Sequence, residues 1–431
     1  MNLWHRLFLV ERPTLSLSLF RIAVAVATFL HVCPSFFHFR EHYLHGAFKT
    51  YNANFFPVDF LNLVDQSPDW LIILMLAVLF CSWLLFLLGC YTQPSGWILF
   101  GSLLYFYALN DFYIGSSLAW DLLLVTLFLV CLTPYPGDYF SVDALRRRDP
   151  NAYKAPRPYF IQRLLQIQLA ATFFFTALYK IYPEGNWIKD NPLYYLMLYP
   201  DEGSTKNFLL RDFLAVHPAL CYWTGIFIFS TEFLLPFLLF FPATRRSGII
   251  WGFIFHLMLL LTLDVPAIFF FLFPPQMLLF INPEKILERI EVRRKLNLQA
   301  KRSIVVFDGQ CNFCRLSVRH LEIMDLWGRL QMRDFHTMED LTLLHPDLNH
   351  AKAASQLYLI EPDGRLSGGF FAFRRLSLLL PMLYPCIILF YFPGTGLMGP
   401  WVYAWIAKNR YLFHINPICV QNACFRKGTH P

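Results

Sequence analysis

Apolar residues fill long runs of this chain, and polar residues gather between the runs. Those at 15–33, 70–90, 97–113, 117–134, 161–182, 218–241, 248–263 and 265–282 approach the roughly 20 residues that carry an α-helix across a bilayer. They predict a polytopic α-helical membrane protein of about eight spans. After Asn282 the pattern changes. "INPEKILERIEVRRKLNLQAKR" is charged with a helical period and predicts a basic linker helix over 284–302. Ile304–Phe307 is a short β-rich run, and Asp308-Gly309 is turn chemistry. From Cys311 onward Leu316, Val318, Leu321 and Met324 fall on or near one helical face. "SQLYLIEPDGRLSGG" (355–369) predicts a strand, a Pro-Asp-Gly turn and a second strand.

Strand, helix, then hairpin is the order of a thioredoxin-like α/β domain. The expected layout is a membrane domain over 1–283, the linker helix over 284–302, the α/β domain over 303–413 and a tail over 414–431. Leu376–Phe392 is apolar enough to suggest a ninth span. Basic residues flank both of its sides (Arg374, Arg375, Lys408, Arg410), and Pro381, Pro385 and Pro393 interrupt it. It is therefore read as helices of the small domain, packed on its sheet or on the membrane surface.

Composition agrees with a membrane protein. Hydrophobic residues make up 56% of the 431 and charged residues only 15%, against about 25% charged in ordinary soluble domains. The net charge of +7 resides in loops, so it is topogenic and not a nucleic-acid footprint. With the N-terminus inside, the inner loops hold Arg6, Arg12, Arg146, Arg147, Arg148, Lys154, Arg157, Arg245 and Arg246. The segment from Lys285 to Arg302 adds more. The outer loops hold only Arg40, Lys49, Lys189, Lys206 and Arg211. This orientation places the N-terminus and the α/β domain in the cytosol. Met1–Pro13 carries no leader-type cleavage site, so the first run is read as a span.

The ten cysteines do not form a secreted disulfide framework, and several fall inside apolar runs. Cys311 and Cys314 differ. A C-x-x-C at a helix start puts the first thiol at the positive end of the helix dipole, which favours thiolate. The second lies one turn on and can close a disulfide with it. Cys311 is thus expected to attack and Cys314 to resolve, with Asp308 relaying a proton. Half of a zinc site, completed by Cys419 and Cys424 or by His320, is the competing reading; their spacing is loose and no metal is assigned. Nor is one assigned to His31, His38, His42 and His45, which share a helical face only if the helix outlasts the span.

"FDGQCNFC" resembles the DCC family of thiol-disulfide oxidoreductase-like proteins, whose Asp, Cys, Cys signature falls on Asp308, Cys311 and Cys314. "GGFFAFRRL" and "YAWIAKNRYLF" (403–413) resemble that family's closing segments. The resemblance spans about 303–413 and implies a thioredoxin-like fold. Unlike thioredoxins, this chain has no proline before the strand at Gln356, which argues against efficient protein–disulfide exchange.

Polar groups inside spans are costly and mark function. Three stretches carry them: one with Asn110, Asp111 and Asp121, one with Gln166, Gln168, Lys180 and Trp187, and one with Glu232 and His256. Together they resemble the HTTM family, the membrane domain shared with vitamin K-dependent γ-carboxylase, over about 8–283. That resemblance implies a base at Lys180, a quinone as candidate cofactor, and Gln168, Trp187, Glu232 and His256 as candidate cofactor-binding residues. HTTM–DCC fusions are a bacterial arrangement, so the resemblance also implies a bacterial inner membrane. The plain alternatives are that Lys180 snorkels to the interface, Glu232 bonds a neighbouring helix and His256 is packed.

The reading reached is a membrane-anchored thiol-disulfide oxidoreductase using the Cys311–Cys314 dithiol. Its expected partners are membrane lipid and either a quinone or a peptide or protein thiol, not nucleic acid. One alternative makes the membrane domain a carboxylase-like enzyme acting on a quinone or lipid-borne substrate, with the dithiol as sensor. Another is a non-enzymatic scaffold or transporter.

Overall fold

A computed structural model describes residues 5–44, 56–110, 117–146, 156–181, 187–199, 211–262, 267–285, 288, 289, 292, 302–325 and 327–409. The expected sites at Asp111, His45, Cys419 and Cys424 lie outside these. The chain forms two compact units, Met1–Ala144 with Tyr153–Pro283 and Leu145–Ala152 with Glu284–Pro431.

The first unit is helical. Its main helices are α1 (Leu15–Val32), α2 (Asp69–Leu88), α3 (Thr92–Leu109), α4 (Ser117–Cys131), α5 (Phe160–Tyr179), α6 (Pro218–Phe240) and α7 (Arg245–Thr262). A two-residue ladder pairs β1 (Glu11–Arg12) with β2 (Arg157–Pro158). Among the described residues four helices are long and apolar enough to cross a membrane: Leu15–Phe36, Asp69–Leu88, Phe160–Tyr179 and Pro218–Phe240. Only 22% of the α2 window is buried, so most of its apolar surface faces outward, as it does in a lipid-facing helix. The apolar run at 265–282 is not one helix. Pro274 and Pro275 fall in it, and it breaks into Ala267–Phe271, Phe273–Met277 and a 3₁₀ turn Leu278–Phe280.

The end of α2 shows how tightly this unit is specified. Gly89 takes a left-handed φ of +65°, and Cys90 N–H and Gly89 N–H bond back to Leu85 O and Phe86 O, closing the helix in a Schellman turn. Arg21, fully buried on α1, donates to Phe86 O at 3.2 Å and Phe140 O at 2.6 Å. It thereby ties α1 to the last turn of α2 and to the loop at Phe140.

The second unit is built on a four-stranded sheet in the order β4-β3-β5-β6. The strands are β3 (Ser303–Phe307), β4 (Leu330–Asp334), β5 (Tyr358–Ile360) and β6 (Leu366–Gly368). β3 and β4 run parallel, joined through α8 (Asn312–Met324); β5 is antiparallel to β3 and to β6. Successive strand residues face opposite sides. Val305 therefore packs with Val318 and Leu321 of α8 and with Ala372 and Leu376 of α9 (Gly369–Leu379), while Val306 packs with Phe335 and Leu341. After α9 the apolar stretch 376–392 breaks into a 3₁₀ helix Pro381–Cys386 and a short helix Ile387–Tyr391, then α10 (Thr395–Asn409). None of the pieces within 376–392 has the length of a span.

Candidate dithiol site and the membrane domain

The turn between β3 and α8 builds the site. Asp308 Oδ1 accepts from Gln310 N–H at 3.0 Å and Cys311 N–H at 3.2 Å, an Asx-type turn that sets the helix start. Gly309 is held beside Asp334, whose carboxylate accepts its N–H at 3.0 Å. A Cβ at Gly309 would lie 1.9 Å from Asp334 Oδ2, so a larger residue would displace that carboxylate. Cys311 is the N-cap of α8, and its Sγ accepts from Cys314 N–H at 3.2 Å. An amide at a helix N-terminus directed at sulfur stabilises thiolate. The Asp308 carboxylate and the two sulfurs lie within 4.8 Å of one another. That spacing suits a dithiol or three ligands of a metal. His336 Nε2 is 3.0 Å from Asp308 Oδ1, which joins the carboxylate to an imidazole that can pass protons on.

Access to the two sulfurs runs opposite to the expected order. Cys311 is only 1% exposed, whereas Cys314 is half-buried. Cys314, together with Asp308, lines a cavity of about 600 Å³ within this unit. Its other walls come mainly from Phe307 and Phe313, from α9 (Phe370, Phe373) and from α10 (Val402, Tyr403).

In the first unit, Lys180 caps the C-terminal end of α5. Its Nζ donates to Glu232 Oε2 of α6 at 2.5 Å and lies 5.1 Å from the centre of the Trp187 ring. Both charged side chains are nearly enclosed, at 11% and 9% exposure.

Comparison with known families accounts for both units. Residues 11–284 match the HTTM domain, and residues 305–415 match the DCC1-like thiol-disulfide oxidoreductase family. The first match covers more than half of the chain. The chain belongs to the HTTM family. It carries a DCC1-like domain fused after the HTTM domain, and that domain supports a thiol-disulfide oxidoreductase role. The HTTM match and the four apolar helices make it a membrane protein. No curated protein and no solved structure matches it.

Within the HTTM domain the expected cofactor-binding residues do not gather at one place. Lys180, Glu232 and Trp187 meet. Gln168 lies about 18 Å along α5 from Lys180, at 1.5 Å per residue. There it donates to Thr126 Oγ1 at 2.8 Å and accepts from Gln276 at 3.1 Å, tying α4 and α5 to the 273–277 helix. His256 packs against the rings of Phe173, Phe255 and Phe273, and its Nδ1 bonds Gly252 O at 2.8 Å. Sequence reasoning missed His336 in the DCC1-like domain. The available signal was its place just after β4, whose parallel pairing with β3 sets Asp334 opposite Phe307 and brings both strand ends to one edge.

Proposed function

We propose that the protein is a membrane-anchored thiol-disulfide oxidoreductase in which Cys311 and Cys314 cycle between dithiol and disulfide. The observation that carries this reading is the Cys314 N–H directed at Cys311 Sγ at the start of α8, with both sulfurs within 4.8 Å. A thiolate held in this way both attacks and leaves readily. The strand order β4-β3-β5-β6, with a parallel first pair and an antiparallel hairpin, supports a thioredoxin-like fold. Asp308 and His336 serve as the proton path. The Lys/Arg distribution supports a dithiol on the cytosolic side of an inner membrane. There glutathione would keep the pair mostly reduced between turnovers.

The test is single turnover. Reduced protein in detergent is mixed with a water-soluble dialkyl disulfide and followed by peptide mass. A Cys311–Cys314 disulfide should form, and each Cys→Ser variant should stop at a mixed disulfide or not react. If wild-type protein leaves both thiols unreacted, the reading fails.

A further inference from the structure

We infer that the substrate of this dithiol is a small apolar disulfide or thiol whose body fills the cavity beside Cys314, and that Cys314 is the thiol that meets it. The inference rests on the dithiol reading above and adds to it the substrate class and the order of attack.

Three observations lead here. The cavity holds about 600 Å³, within the roughly 300–1,000 Å³ of small-molecule sites. Its wall is mainly aromatic and aliphatic, with Phe313, Phe370, Phe373, Phe390, Val402 and Ile406, and Cys314 and Asp308 supply sulfur and carboxylate. The backbone before β5, where an extended peptide would need to pair, is already engaged. Leu357 N–H donates to Tyr403 Oη of α10 at 3.1 Å, and Leu357 O accepts from Gly369 N–H at 2.9 Å. With those groups taken and Gln356 in place of a proline, the site favours a compact apolar body over a peptide strand. Finally, Cys311 is 1% exposed and is not part of the cavity wall, whereas Cys314 is.

The chemistry balances without any other reactant. Cys314, as thiolate, attacks a substrate disulfide RS–SR′. A Cys314–SR bond forms, and R′S⁻ leaves with the electron pair and takes the proton that Cys314 gave up. Cys311, as thiolate, attacks Cys314 Sγ. The Cys311–Cys314 bond forms, and RS⁻ leaves and takes the second proton. The protein loses two electrons and two protons, and the substrate becomes two thiols. In reverse, a substrate thiolate attacks Cys314 and expels Cys311, the better leaving group because the Cys314 amide stabilises its thiolate.

The experiment uses the full chain in detergent and a series of mixed disulfides between 5-thio-2-nitrobenzoate and straight alkanethiols from methyl to octyl. In Cys311→Ser the alkyl adduct is trapped and located by peptide mass. Cys81, exposed on α2, reports in the same sample how the probes partition into the micelle. The expected result is an adduct rate at Cys314 that rises about fourfold per methylene over the rate at Cys81, until the cavity is full. Val402→Trp should flatten that rise at Cys314 and leave Cys81 unchanged. If Cys314 reacts but its rate merely parallels Cys81, the apolar-substrate inference is overturned and the dithiol reading stands. If Cys311 in Cys314→Ser reacts faster than Cys314 in Cys311→Ser, the order of attack is overturned. If neither thiol reacts even with the methyl probe, both readings fall together.

Discussion

At the scale of single residues, the site is a set of short hydrogen bonds, each removable on its own. Asp308→Asn keeps the shape of the turn but not its charge, and His336→Ala removes the imidazole 3.0 Å away. Either change should slow exchange with a soluble disulfide by about 10-fold or more. The double variant should lose little beyond the worse single one, because the two act as a unit; additive losses would separate them. Asp308, Cys311 and Cys314 were legible because they lie within one turn of chain. His336, 28 positions from Asp308, was not, because only the pairing of β3 with β4 brings it close. Lys180 and Glu232 stood out as costly polar groups in apolar runs, but the sequence did not show that they meet. Glu232→Gln leaves a nearly enclosed ammonium without its partner and should cost about 3–5 kcal/mol of stability. Lys180→Met with Glu232→Leu should cost much less. Thermal melts in detergent compare them, and equal losses would show that the pair is not an ion-pair lock.

At the scale of elements, apolar runs located the main helices of the first unit, and chain breakers set some of their boundaries. The run at 265–282 has the apolar content of a span but holds Pro274 and Pro275, and its helix is broken just before them, at Leu272. The end of α2 is the opposite case, fixed by one glycine. Gly89→Ala would place a Cβ at φ +65° and 1.8 Å from Arg21 Nη1. A loss of about 2 kcal/mol or more is expected from the left-handed backbone and the displaced arginine, read as a lower melting temperature of the full chain. An unchanged melt would mean that α2 ends without that turn. On α8, burial lowers the pKa of His320, against an opposing bond to Leu316 O, and Arg319 adds a smaller lowering. A lowered folded value means that the unfolded chain binds the proton more readily. Stability from the neutral ring is therefore present above the unfolded value, about 6.5, and is lost as pH falls below it toward the folded value. His320→Gln should flatten acid destabilisation of the DCC1-like domain in that window, followed by hydrogen exchange of α8; an unchanged pH dependence would assign the effect to another group.

At the scale of the whole molecule, composition and hydropathy disclosed a membrane protein with a charged transition near Asn282, and local motifs disclosed which two families are joined. What they could not disclose was access. The cavity that reaches Cys314 is walled by α9 and α10 from more than fifty residues away, and no local pattern encodes that. The central claim is that Cys311 and Cys314 form one two-electron couple. It is tested most directly by equilibrating the purified full chain in redox buffers of graded potential, quenching with acid and counting the Cys311 and Cys314 thiols by peptide mass. The account predicts that both thiols disappear together into a Cys311–Cys314 disulfide, with one midpoint and a slope of about 30 mV per tenfold change in ratio. Thiols that stay reduced at every poise, that yield only separate mixed disulfides, or that are protected until a bound metal is chelated would contradict it.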